Sequence, residues 1–412
     1  MMKNTLLTFG LLFGFISAFS QNNPEIDSFQ KYSDSLNKKL RVDVTAKDYT
    51  ASINLLKEWK KNYNGLKPEV KHEFSDVPYS LYYNLACYTA LSGDQNTALN
   101  YLDTAINKGY DNYFHLIADT DLNGLHANKR FKTLAANLRE RKDYGYILKK
   151  SGPYSIKDNR PIPAFTYQDA STPELVKFKT RYNLDSISGN GDEISKMKNL
   201  LLWVHNTVRH DGSSNNPKQK NAIDLIEICK KENRGVNCRM LSTILKDAYQ
   251  AEGLKTRIVT CSPKDTTDFD CHVITAVWSN TLNKWLWMDP TNNAYISDEK
   301  GNLLSIEEVR TKLVKNEILI VNENANWNNK RKVTKDDYLD SYMSKNLYWI
   351  ECSIKSEWDI ETRAPGSPAI EYVSLYPGSF STIGGKDKRQ TKSMIDYATN
   401  NPQLFWQKPN DK

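Results

Sequence analysis

Cys238 is the residue of this chain best placed to act as a nucleophile. It follows Gly235-Val236-Asn237 and opens a segment in which Met240, Leu241, Ile244, Leu245, Ala248 and Tyr249 recur at helical spacing, with Gly253 as a natural stop. Asn237 is a good N-cap, so Cys238 is expected as the first helical residue, among unpaired N–H groups at the positive end of the helix dipole. That setting favours thiolate over thiol, more so beside a base. Downstream, His272 and Asp289 each stand at the end of an expected strand. A thiolate, an imidazole and a carboxylate in that order can perform acyl transfer. The sulfur attacks an amide carbonyl, the imidazole moves the proton, and the carboxylate fixes the imidazole tautomer.

Those three side chains need elements to hold them. Apolar runs at 256–261, 271–278 and 284–289 read as strands. Pro290 disfavours a helical conformation at Asp289 and keeps it extended at a strand end. A hairpin closed around Ser279–Asn283 would make His272 and Asp289 neighbours on adjacent strands. The backbone N–H of Cys238 is well placed as an oxyanion donor. Trp203 is a candidate for the second donor, although its spacing with Leu200 and Val204 reads as core. His205 and His210 are competing bases. His205 lies beside Val204 on a helix and His210 precedes a loop, so both read as structural or surface residues. Asp268 and Asp270 are closer to His272 along the chain, but Asp270 shares its strand and is awkwardly placed to orient it. A zinc site from Cys261, Cys271 and His272 lacks metal-ligand spacing, and the adjacent Cys271 and His272 would point to opposite faces. No metal and no cofactor is expected.

The chain has 412 residues, 39% of them hydrophobic, enough for two domains. Its net charge of +7 arises from 56 basic and 49 acidic residues, interspersed and without a basic block, which argues against a nucleic-acid partner. Residues 1–20 read as a signal peptide: Lys3, an apolar run from Leu6 to Phe19, and a small-x-small end at Ala18-Phe19-Ser20, leaving Gln21 as the mature N-terminus. The run falls short of the ~20 residues that a span needs, so no membrane span is expected after cleavage. The expected location is periplasmic or secreted. Cysteines can pair in such compartments. Cys261 and Cys271, flanking a polar loop between two strands, are either a disulfide or two buried thiols. Cys87 and Cys229 sit on apolar helical stripes and read as core.

Residues 21–145 are expected to be helical. Tyr82, Leu85, Ala86, Gly93, Ala98, Leu102, Ala105 and Gly109 form the small-and-large pattern of two antiparallel helices. Prolines at 153, 161 and 163 mark a linker over 146–185. The core is expected over 186–325, helices first and an antiparallel sheet after, which gives the class α+β. A C-terminal extension, 326–412, contains an expected helix (336–350) and strand (370–376). It shows no chemistry and reads as a cover for the sheet edge or a wall of the cleft.

Gly235-Val236-Asn237-Cys238, the helix running on through Gly253 to Val259, Cys271-His272-Val273 and Trp285–Thr291 together resemble the transglutaminase-like (papain-like cysteine) superfamily. The resemblance covers 186–325. It implies a papain-like, transglutaminase-like core in which the helix carrying the cysteine packs on the sheet. It also implies Cys238 as nucleophile, His272 as general base and acid, and Asp289 as orienter. The helical region upstream resembles tetratricopeptide (TPR) proteins, and the whole resembles exported proteins of Bacteroidetes-type bacteria. The implied activity is hydrolysis of a peptide or protein amide through a thioester. Two other readings stand beside it. One is a cross-linking transglutaminase. The other is a non-catalytic scaffold that binds a protein partner through the TPR-like region and keeps a degenerate core.

Overall fold

The computed structural model describes residues 23–75 and 77–410; the expected signal peptide lies outside them. The chain divides into two compact units between Asp143 and Tyr144. Among the described residues no helix is long and apolar enough to cross a membrane.

The first unit is all helical. Helix Tyr49–Asn64 buries Leu56 and Trp59. Helices Val77–Leu91 and Gln95–Asn107 pack against each other through buried Leu85, Ala86, Ala98, Leu102 and Ala105. Between them Gly93 takes a φ of +94°, which only glycine adopts without strain. Asp94 then caps the second helix, accepting from the Thr97 N–H at 3.0 Å.

The second unit is built on a seven-stranded sheet. Its strands are β1 (Thr256–Ser262), β2 (His272–Ser279), β3 (Lys284–Met288), β4 (Trp349–Ser353), β5 (Ile370–Leu375), β6 (Lys388–Gln390) and β7 (Met394–Thr399), in the order β6-β7-β5-β4-β1-β2-β3. Along β1 to β3, side chains alternate between two cores. Val259, Ile274, Ala276, Trp285 and Trp287 fill one. Val277, Leu286 and Met288 turn to the other, where they meet Met240, Leu241, Ile244 and Ala248 of helix Cys238–Ala251. With both faces covered, β2 is buried along its whole length. This is the expected α+β arrangement, a helix carrying the cysteine packed on a sheet.

Three features differ from the sequence reading. The expected antiparallel pairing holds across β1 to β3, but in the C-terminal segment β5 and β7 run parallel, because β6 comes between them along the chain and turns back antiparallel onto β7. Segment 146–185 is more than a linker. The prolines do keep its first part irregular, but Thr166–Tyr167 pairs with Lys355–Ser356, and helix Pro173–Tyr182 buries Leu175 and Phe178. The C-terminal segment supplies four of the seven strands, and its helix ends at Asn346, so that Trp349 and Ile350 belong to β4. That early stop lets Ile350 and Cys352 join the sheet core.

Candidate active site

The Cys238 helix begins where its sequence places it. Asn237 accepts from the Met240 N–H at 3.1 Å, making Cys238 the first helical residue. Farther along, the Tyr249 hydroxyl donates to the Met197 carbonyl at 2.9 Å and ties the helix to its neighbour Glu193–Thr207. Just before the cysteine, residues 235–237 run parallel to 209–211. Asp211 N–H donates to Val236 O (2.8 Å), and Val236 N–H to Arg209 O (3.2 Å). A Cβ on Gly235 would stand 2.6 Å from Arg209 O, so this approach requires glycine.

β2 and β3 present the other two residues. Their register pairs Thr275 with Met288. His272 and Asp289 are thus diagonal neighbours on one face, within reach of each other's side chains. His272 Nε2 lies 2.8 Å from Asp289 Oδ2, leaving Nδ1 as the ring nitrogen free to serve the thiol. The same Oδ2 accepts from the Tyr338 hydroxyl (2.5 Å) and the Asn292 amide (3.0 Å), and Oδ1 accepts from the Thr291 N–H (2.8 Å). His272 and Asp289 are both buried. Tyr342 stacks edge-on against the His272 ring at 5.3 Å.

These contacts set the charges. Burial pushes the Cys238 thiol up, but hydrogen bonding from His210 and His272, the charge of His272 and a backbone contact at Val273 bring it down to about 6. Burial disfavours the imidazolium of His272, yet the Asp289 carboxylate and Cys238 raise it to about 10. Burial likewise pushes Asp289 up, and His272, Tyr338 and Asn292 outweigh it, so the carboxyl titrates below its ordinary value. Both shifts favour the thiolate–imidazolium form of the pair near neutrality. Cys238 and His272 open on a cleft of about 400 Å³, a volume suited to a small segment of substrate.

Residues 181–290 match the Transglutaminase-like superfamily. Among solved structures, one described as "a Putative Cysteine Protease from Cytophaga hutchinsonii" shares 19% identity at a TM-score of 0.24, covering 31% of this chain and 40% of that one. The match thus spans less than half of that protein. No curated protein matches the chain.

The remaining sequence candidates separate. His205 is buried and structural, its ring bridging Pro290 O (3.0 Å) and Asn326 Oδ1 (2.9 Å). His210, read as structural or surface, instead lines the cleft beside Cys238. Trp203 packs on Phe178 and Tyr182 and is not among the cleft residues, as its helical spacing allowed. Asp268 and Asp270 pair with Lys345 at 2.8 and 2.9 Å. The β1–β2 register sets Cys261 opposite His272 rather than Cys271, and all six cysteines are free. The C-terminal segment, read as having no chemistry, provides Tyr338, Trp327 and Tyr342 to the site. Hairpin Asn326–Trp327/Arg331–Lys332 reads in sequence as a polar loop, and only Trp327 within it could have drawn notice.

Proposed function

We propose that this protein is an exported cysteine-dependent acyl-transfer enzyme that hydrolyses a peptide or protein amide bond. The observation that carries the reading is the coupled pair: an imidazole held at 2.8 Å by a buried carboxylate, sharing a cleft with a thiol whose pKa falls to about 6.

Cys238 thiolate attacks the amide carbon, forming a carbon–sulfur bond and an oxyanion. As the oxyanion collapses the carbon–nitrogen bond breaks, and the leaving amine takes a proton from His272. Water then gives a proton to His272 and attacks the thioester, releasing the acid and restoring the thiolate. Asp289 keeps the imidazole aligned through both halves. Phe269, 90% exposed at the rim of the cleft, offers an apolar contact that suits a peptide side chain. Residues 1–20 support export to the periplasm or the medium, and the helix pair at 77–107 supports docking of a protein partner, as in TPR proteins.

The test is acyl-enzyme capture with p-nitrophenyl acetate. Acetylation of Cys238 at neutral pH seen by peptide mass spectrometry, strongly slowed in His272→Ala and decaying in water alone, is the expected result. An acetyl group that leaves only when an amine is added would turn the reading to transamidation. No acetylation of wild-type Cys238 would overturn it.

A further inference from the structure

Attack on a carbonyl creates an oxyanion, and the Cys238 N–H supplies only one donor. We propose that His210 supplies the second, through its Nε2–H; the inference rests on the acyl-transfer reading above.

The backbone of His210 is fixed relative to the nucleophile. It bridges to Val236, two residues before Cys238, and Asn328 clamps it from outside. Asn328 Oδ1 accepts from the His210 N–H at 2.7 Å, and its amide donates to the His210 carbonyl at 3.0 Å. Trp327, from the same hairpin, sets the ring. Its Nε1 lies 3.1 Å from His210 Nδ1. An indole N–H can only donate, so Nδ1 must be the unprotonated acceptor and the proton of the neutral ring sits on Nε2. The ring lines the cleft with Cys238 and His272.

His210 and His272 therefore divide the work. His272 has a carboxylate partner, which favours the imidazolium and suits it to carry a proton. His210 has an indole donor on Nδ1 and, among the described residues, no carboxylate hydrogen-bonded to its ring; this leaves its Nε2–H to donate into the cleft. In the resting state it acts on the sulfur, and its hydrogen bond helps depress the thiol pKa. On attack sulfur bonds to the carbonyl carbon and the negative charge moves to the oxygen on that carbon, two bonds from sulfur, where the same N–H can meet it. Trp327 is a positioning residue that acts through the ring.

Two reagents separate this role from simple thiolate stabilisation. Iodoacetamide alkylates sulfur without forming an oxyanion, whereas p-nitrophenyl acetate must pass through one. Both rates are measured at about pH 9, where even an ordinary thiol is largely ionised. His210→Ala is expected to slow acetylation of Cys238 by ~10–100-fold, at or below the usual loss for an oxyanion donor, while alkylation changes little. His210→Gln, which keeps an N–H, should recover part of the rate. Trp327→Phe, which leaves His210 in place but frees its tautomer, should fall between, and melting curves establish that each variant is folded. Acetylation that is unchanged in folded His210→Ala, or that falls only in step with alkylation, overturns the proposal alone. A wild type that alkylates but is never acetylated overturns the acyl-transfer reading, and this inference with it.

Discussion

Tyr338 and His272 meet on a single oxygen: the phenol lies 2.5 Å and the imidazole Nε2 2.8 Å from Oδ2 of Asp289. With Asn292 and the Thr291 N–H added, four donors surround a carboxylate that has no access to water. Such a group is held ionised, because each donor stabilises the charged form against the penalty of burial. In the proposed mechanism it serves as a fixed negative charge that aligns the ring, not as a stop for the proton.

Tyr338→Phe tests that arrangement most gently. A hydrogen bond to a charged group contributes ~1.5–3 kcal/mol, and the phenol ring itself is kept. The variant should melt at a lower temperature. Its acetylation by p-nitrophenyl acetate should slow about tenfold as the ring gains freedom, a cost of roughly 1.4 kcal/mol in the barrier. Unchanged kinetics would mean that Asn292 and the backbone hold Asp289 unaided.

Asp289→Asn removes the charge and keeps the shape. The amide can still accept from Tyr338, but it no longer favours the imidazolium and can impose the wrong tautomer on His272. Acyl transfer should fall by up to ~10⁴, the loss that the same exchange causes in a serine-protease triad. Alkylation of Cys238 by iodoacetamide should fall far less above pH 9, where the thiol ionises without help. Equal losses in both reactions would count against an orienting role.

The depressed thiol and raised imidazole predict a pH profile. Reactivity follows the thiolate, which forms above the thiol pKa, so alkylation of wild-type Cys238 should rise with a midpoint near 6. His272→Ala removes the positive charge and a hydrogen bond, so the midpoint should move up toward the ordinary thiol value, about 8.5. Ester acetylation should show the same rise, whereas amide turnover should also decline as pH passes about 10, where His272 loses the proton that the leaving amine requires. An alkylation midpoint indifferent to His272 would dissolve the pair.

Part of this site could be read along the chain because its determinants are local. Asn237 caps the helix that Cys238 begins, Pro290 keeps Asp289 extended, and a short hairpin between β2 and β3 brings His272 and Asp289 together. Tyr338, Trp327 and His210 could not be read in that way. Their partners lie far off in sequence, and the contacts exist only once residues 326–343 have folded against the cleft. Asn-Trp-Asn-Asn-Lys-Arg-Lys has the composition of a solvated loop, and nothing in it signals a histidine to be clamped. The parallel pairing of β5 and β7 was hidden for a related reason: periodicity marks a strand but not the direction in which it joins a sheet.

Gly235→Ala probes the support beneath the nucleophile. The added Cβ would lie 2.6 Å from Arg209 O and 2.7 Å from the Asp211 Cβ, and neither atom can give way without moving the 209–211 backbone. Overpacking of this kind destabilises by ~1–3 kcal/mol. The larger consequence should be chemical, because the strand that moves carries His210. The variant should show a lower melting temperature, an alkylation midpoint shifted upward, and slower acetylation, all from one methyl group that touches no reacting atom. A loss of stability with both reactions intact would show that His210 keeps its place independently of the 209–211 pairing, through the Asn328 clamp alone.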